Sequence, residues 1–126
     1  MSATILIVED QEDNRKILRD LLTSQGYSIL EATDGLTAIQ LARNYQPALI
    51  LMDIQLPGID GYEATRRIKA DKALSHIPLI VVTSYALSGD SQKAFAAGCD
   101  DYIAKPYSPR QMLAKVREFL AAQTST

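Results

Sequence analysis

Glu9 and Asp10 stand side by side directly after the apolar run ILIV at 5–8. Asp53 follows LILM at 49–52, Thr83 and Ser84 follow LIVV at 79–82, and Lys105 follows YIA at 102–104. Adjacent acids at the end of a buried run repel each other and lose hydration, so a positive partner is required. No arginine lies beside them in the sequence, and one lysine cannot neutralise three carboxylates. A hard divalent cation can. Mg2+ takes oxygen ligands, commonly one or two carboxylates with water and phosphate oxygens. A magnesium ion held there, with Lys105 and Thr83, would cradle a phosphoryl group. Asp53, in the middle, is the nucleophile placed to accept it as an acyl phosphate. The metal would draw off charge on the transferred oxygens, Lys105 would act as a fixed point charge, and Thr83 would donate a hydrogen bond.

This chemistry needs the groups at one place, although they are spread over nearly a hundred residues. The elements that would gather them can be read from the apolar pattern. The runs 5–8, 49–52 and 79–82 are short, rich in branched residues and do not alternate, as in strands buried on both faces. Weaker strands fit at 27–30 and 102–104. Helical spacing marks Ile17, Leu18, Leu21 and Leu22, ended by Gly26, then Leu36, Ile39, Leu41 and Ala42, then Tyr62, Thr65 and Ile68. It continues with Ala94, Phe95 and Ala97, stopped by Gly98, and with Met112, Leu113, Val116, Phe119 and Leu120, opened by Ser108 and Pro109. Strand and helix alternate five times. The expected fold is α/β, a doubly wound five-stranded parallel sheet with right-handed crossovers and the flavodoxin-like strand order 2-1-3-4-5. In such sheets ligands bind beyond the carboxyl ends of the strands, where the acids, hydroxyls and amine all fall.

Composition narrows the function. The chain has 126 residues, 47% hydrophobic and 22% charged, with net charge -2. That fits one globular domain over 1–126 with a frayed tail from about 122, and argues against a nucleic-acid or membrane surface. A single cysteine, Cys99, gives no internal disulfide, and no basic, apolar leader opens the chain, so the expected location is cytoplasmic. No residues remain for an output domain, so output should be an intermolecular contact.

Each feature also has an ordinary reading. An acidic pair after a strand caps helices, Asp53 could open the turn LPGIDG, Thr83 could be a strand residue, and Lys105 a solvated lysine. All four would have to be incidental at four different strand ends. His76 reads as a surface loop histidine, Cys99 as inert packing, and RRIKADKALSH as a solvated helix face.

The stretches ILIVEDQEDN, LILMDIQLPGIDG, LIVVTSYA and DYIAKPY, in that order, resemble the four signature stretches of the response-regulator receiver domain. The resemblance covers essentially the whole chain, and its character is that of stand-alone receivers such as those of bacterial cell-cycle phosphorelays. It implies that Glu9, Asp10 and Asp53 hold Mg2+ together with the backbone carbonyl of Gln55, and that Asp53 is phosphorylated. It implies that Thr83 is the switch hydroxyl, Tyr102 the switch aromatic and Lys105 the ion-pair lysine, with a cis Lys105–Pro106 bond. The implied function is a two-component response regulator. It would accept a phosphoryl group from a histidine kinase or histidine phosphotransfer protein, then switch the face of the fourth helix, fifth strand and fifth helix for a downstream partner. Slow self-dephosphorylation would be its only turnover. Ser84 stands where alanine or glycine is frequent, and Gln55 and Tyr85 occupy positions that tune water access. A bulky Tyr85 is expected to lengthen the phosphorylated lifetime.

Rival readings fare less well. An aspartyl-nucleophile phosphatase of the haloacid-dehalogenase type needs a second aspartate two residues after the first, where this chain has Gln55. A flavin mononucleotide module needs a Ser/Thr/Gly loop after the first strand, where Glu9 and Asp10 would repel phosphate. The P-loop pattern is absent. A receiver that binds partners without phosphorylation remains the alternative, disfavoured by the retention of every acid, Thr83 and Lys105.

Overall fold

The computed structural model describes residues 3–84 and 90–124. Its order is β1 (Thr4–Val8), α1 (Glu12–Thr23), β2 (Ser28–Ala32), α2 (Gly35–Tyr45), β3 (Leu49–Asp53), α3 (Gly61–Ala70), β4 (Leu79–Thr83), α4 (Asp90–Ala96), β5 (Asp101–Ala104) and α5 (Pro109–Thr124). The five strands form one parallel sheet in the order β2-β1-β3-β4-β5.

The unbroken apolar runs follow from burial on both faces. Along β1, Leu6 and Val8 point into one apolar layer and Ile5 and Ile7 into the other. Ile50 and Met52 alternate with Leu49 and Leu51 on β3, and Leu79 and Val81 with Ile80 and Val82 on β4. The first layer is closed by Ala38 and Ala42 of α2, Ala64 and Ile68 of α3, and Ala94 of α4. The second is closed by Leu18 and Leu22 of α1 and Met112, Val116 and Leu120 of α5. Each large side chain so buried contributes about 1.5–3 kcal/mol.

Local chemistry fixes the helix starts. Asp34 accepts the Thr37 amide at 2.8 Å and Asp60 the Glu63 amide at 2.9 Å. Ser108 Oγ accepts the Gln111 amide while Gln111 Oε1 accepts the Ser108 amide, a reciprocal cap that starts α5 at Pro109. Gly98, with φ +106°, turns the chain out of α4, its amide donating to Phe95 O. α5 runs to Thr124, into the segment expected as a tail.

Two local expectations are corrected. β2 lies at 28–32 rather than 27–30, because it is an edge strand that carries Glu31 inside it. Lys69, expected on a solvated face, is only 13% exposed in its side chain. Its ammonium donates to Ser75 O (3.2 Å), Ile77 O (2.7 Å) and Asp100 Oδ2 (2.8 Å), and Asp100 Oδ2 also accepts the Leu79 amide. A long apolar stem with a charged tip can reach carbonyls that a helix count alone places in solvent. Arg66, Arg67 and His76 are exposed.

Candidate functional site

The carboxyl ends of β1, β3, β4 and β5 meet at one edge. Register explains why: Val8 pairs with Met52, Asp53 with Val82, and Thr83 with Ala104. Glu9, Asp53 and Lys105 therefore sit at or one residue beyond the ends of β1, β3 and β5, with Thr83 at the end of β4 between the last two. Carboxylate oxygens of Glu9, Asp10 and Asp53 lie within 4.8 Å of one another. Glu9 and Asp53 are buried and Asp10 half-buried.

Each group is held. Asp53 Oδ1 accepts the Ile54 amide at 2.8 Å, and Oδ2 faces the Lys105 ammonium at 3.3 Å. Glu9 Oε1 accepts from the same ammonium at 3.0 Å, and Oε2 from the Gln11 amide at 3.1 Å. Thr83 is buried, and its carbonyl accepts the Lys105 amide at 2.8 Å, which anchors the lysine backbone. The Lys105–Pro106 bond is cis. Burial works against the Lys105 charge, but the Asp53 and Glu9 carboxylates outweigh it and hold the ammonium pKa above its ordinary value. Tyr107, beside the site, is pushed up by burial, a rise that Lys105 opposes and Glu9 reinforces.

Gly61 lets α3 start against β3. Its amide donates to Ile54 O at 2.8 Å, and a Cβ there would collide with the Asp53 carbonyl oxygen. A cavity of about 480 Å³ opens at Glu9, Asp53 and Lys105 and continues between α1 and the 106–109 segment.

Gln55 is exposed next to the site. Tyr102 is half-buried on β5, its ring edge-on to Phe95 with centroids 6.4 Å apart. Ser84 is exposed at the end of β4, and Tyr85 lies outside the described residues.

Sequence reasoning missed Arg15. Its Nη1 donates to the carbonyl oxygen of Glu9 at 3.1 Å, and its Nε to Glu31 Oε1 at 3.0 Å. Arg19, one turn along α1, also donates to Glu31, at 2.9 Å. The readable signal was Glu31 itself: an acid inside a strand asks for a cation, and two arginines at i, i+4 supply it.

A donor set of three clustered carboxylates, with no sulfur or imidazole, fits a hard cation of the magnesium class. No helix among the described residues is long and apolar enough to cross a membrane.

Comparisons agree with this geometry. Residues 5–117 match the response regulator receiver domain family. The polar-differentiation response regulator DivK of Brucella ovis is 43% identical over 120 residues, covering 95% of this chain and 98% of its own. Among solved structures, the receiver domain of a Pseudomonas aeruginosa sensor histidine kinase is similar at TM-score 0.90 and 35% identity, covering 96% of this chain and 99% of its own. That protein was crystallised with a magnesium ion coordinated in its active-site cleft. The receiver domain of a Syntrophus aciditrophicus signal transduction histidine kinase is similar at TM-score 0.93 and 30% identity, covering 99% of this chain and 95% of its own. With a family match across nearly the whole sheet and the acids gathered at its carboxyl edge, this chain belongs to the response-regulator receiver family.

Proposed function

We propose that this chain is a single-domain response regulator whose Asp53 takes a phosphoryl group from a phosphohistidine on a sensor histidine kinase or histidine phosphotransfer protein. The observation that carries the reading is the meeting of Glu9, Asp10 and Asp53 carboxylates within 4.8 Å at the carboxyl edge of the sheet. The single-domain reading is supported by DivK of Brucella ovis, 98% of whose length aligns with this chain.

In the step itself an Asp53 carboxylate oxygen attacks phosphorus as the N–P bond of the donor breaks. The electron pair leaves on the imidazole nitrogen, and an acyl phosphate remains on Asp53. Glu9 and Asp10, with Asp53 and the Gln55 carbonyl, would hold Mg2+, which when bound offsets the negative charge on the transferred oxygens. Lys105, already between Glu9 and Asp53, supplies a fixed positive charge to the incoming oxygens. Thr83 then donates to the phosphoryl group, and Tyr102 turns inward in the space this opens. The face built by α4, β5 and α5 changes and is read by a downstream protein. The protein turns over no metabolite and works in the cytoplasm. Bulky Tyr85 slows hydrolysis of the acyl phosphate, so Tyr85→Ala should lose phosphoryl label faster than wild type.

The test is incubation with acetyl phosphate or phosphoramidate, with and without Mg2+, read by intact mass. One phosphoryl group should add only with Mg2+, and none to Asp53→Asn. Equal gain in Asp53→Asn would reject the acceptor.

A further inference from the structure

Glu9 is fixed on every side by something different. Its amide donates to Ala32 O at 3.0 Å, its Oε1 accepts from Lys105, and its Oε2 accepts from the Gln11 amide. Its carbonyl oxygen accepts from Arg15 Nη1 at 3.1 Å. That carbonyl belongs to the peptide plane whose nitrogen is the amide of Asp10. The orientation of this plane sets the direction in which the Asp10 side chain leaves the backbone.

Arg15 is itself held from the far side. Glu31 Oε1 accepts from Arg15 Nε at 3.0 Å and from Arg19 Nη1 at 2.9 Å. Glu31 pairs with Ile7 in the β1–β2 register, one residue before Ala32, whose carbonyl takes the Glu9 amide. The Arg15 side chain is 17% exposed and Glu31 30%. A planar guanidinium can donate to a carboxylate through one nitrogen and to a carbonyl through another, and its fixed fork sets the angle between the two bonds, which the rotating donors of an ammonium do not.

We propose that Arg15, braced by Glu31, is a positioning residue that orients the Glu9–Asp10 peptide so that the Asp10 carboxylate meets those of Glu9 and Asp53 in a geometry ready for a divalent cation. The proposal rests on the reading of that cluster as a magnesium site. Its sign separates it from plain electrostatics. Arg15 carries a positive charge near the cluster, so through-space repulsion predicts tighter cation binding when that charge is removed. Loss of positioning predicts weaker binding.

The test is calorimetric titration of the full chain with Mg2+ alone at fixed ionic strength. Arg15→Met should bind about 10-fold more weakly, in the range found when groups that orient metal ligands are removed. Arg15→Lys, which keeps the charge and loses the fork, should bind at least about 3-fold more weakly. Arg19→Met removes the same charge from the same acid without touching Glu9, and should stay within about 2-fold of wild type. Without metal, the Asp10 amide resonance should move in both Arg15 variants and hold its place in Arg19→Met, at urea midpoints that show all three folded. Binding by Arg15→Met as tight as wild type, or tighter, overturns the proposal. So does wild-type affinity in Arg15→Lys, or an Arg19→Met loss equal to that of Arg15→Met. Failure of the wild type itself to bind Mg2+ would reject the metal-site reading and this proposal with it. Wild-type binding with unaltered variants would reject only the role of Arg15.

Discussion

Lys105 at the end of β5 sets its ammonium 3.0 Å from Oε1 of Glu9 at the end of β1, while reaching Asp53 Oδ2 at 3.3 Å. One cation thus stands between two buried acids that would otherwise repel across the central strands. Lys105→Met should therefore destabilise the metal-free protein by about 1–2 kcal/mol, since a charged hydrogen-bond partner is lost and two acids are left unpaired. Added Mg2+ should recover more of the loss in the variant than it adds to wild type. Urea melts with and without Mg2+ check this; an equal metal effect in both proteins would count against it.

The same pair predicts an alkaline dependence. Despite burial, the carboxylates of Asp53 and Glu9 hold Lys105 above its ordinary value of 10.5. A cation whose folded pKa is raised adds stability that is complete below 10.5 and is lost as pH rises through the higher folded value. The stability difference between wild type and Lys105→Met should thus be flat from neutral pH to about 10 and shrink above it. Denaturant melts across that range provide the measurement.

Gly61 and Gly35 both begin helices on the same side of the sheet, yet they should respond differently to alanine. At Gly61 the new Cβ meets the Asp53 carbonyl and Ile54 Cα, both backbone. At Gly35 it meets Ile59 Cγ1 at 2.7 Å, on a half-buried side chain that can shift, and Ala64 Cβ at 3.2 Å, which needs only a few tenths of an ångström of give. Gly61→Ala should cost about 3 kcal/mol and weaken Mg2+ binding by shifting Asp53, whereas Gly35→Ala should cost less than about 1.5 kcal/mol. Thermal midpoints and metal titrations of the two variants distinguish them.

Cys99 is 6% exposed, and burial, reinforced by Asp100 and Asp101, pushes its thiol up to about 11. At pH 8 its thiolate fraction should be about 100-fold below that of an ordinary cysteine. Reaction with a disulfide reagent should be slow in the native protein and fast in urea. Rapid native labelling would contradict the packing described for this residue.

Much of the fold is legible because β1, β3 and β4 are buried on both faces and so leave unbroken apolar runs. Their carboxyl ends then fall next to Glu9, Asp53 and Thr83 in the sequence itself. β2 was harder, since an edge strand is half-exposed and Glu31 interrupts its pattern. Phe95 sits at helical spacing but is 48% exposed, for it meets the Tyr102 ring at the surface rather than the core. The bond from Arg15 to the Glu9 carbonyl was out of reach of pattern reading, because it ends on a backbone atom. Residue types encode side-chain chemistry and leave the partners of a particular carbonyl unspecified. Lys69 escaped for the same reason, two of its three acceptors being main-chain oxygens.

The Lys69 cluster lies at the opposite rim of the sheet from the acids. It fastens the end of α3, the segment before β4 and the turn after α4 to one ammonium, with Gly98 packed on its stem. Motion of α4 would consequently be a swing about a pinned heel rather than a slide. The largest excursion would fall at the toe of the helix, the end that follows β4, and cutting the Lys69 tether would let the heel drift too.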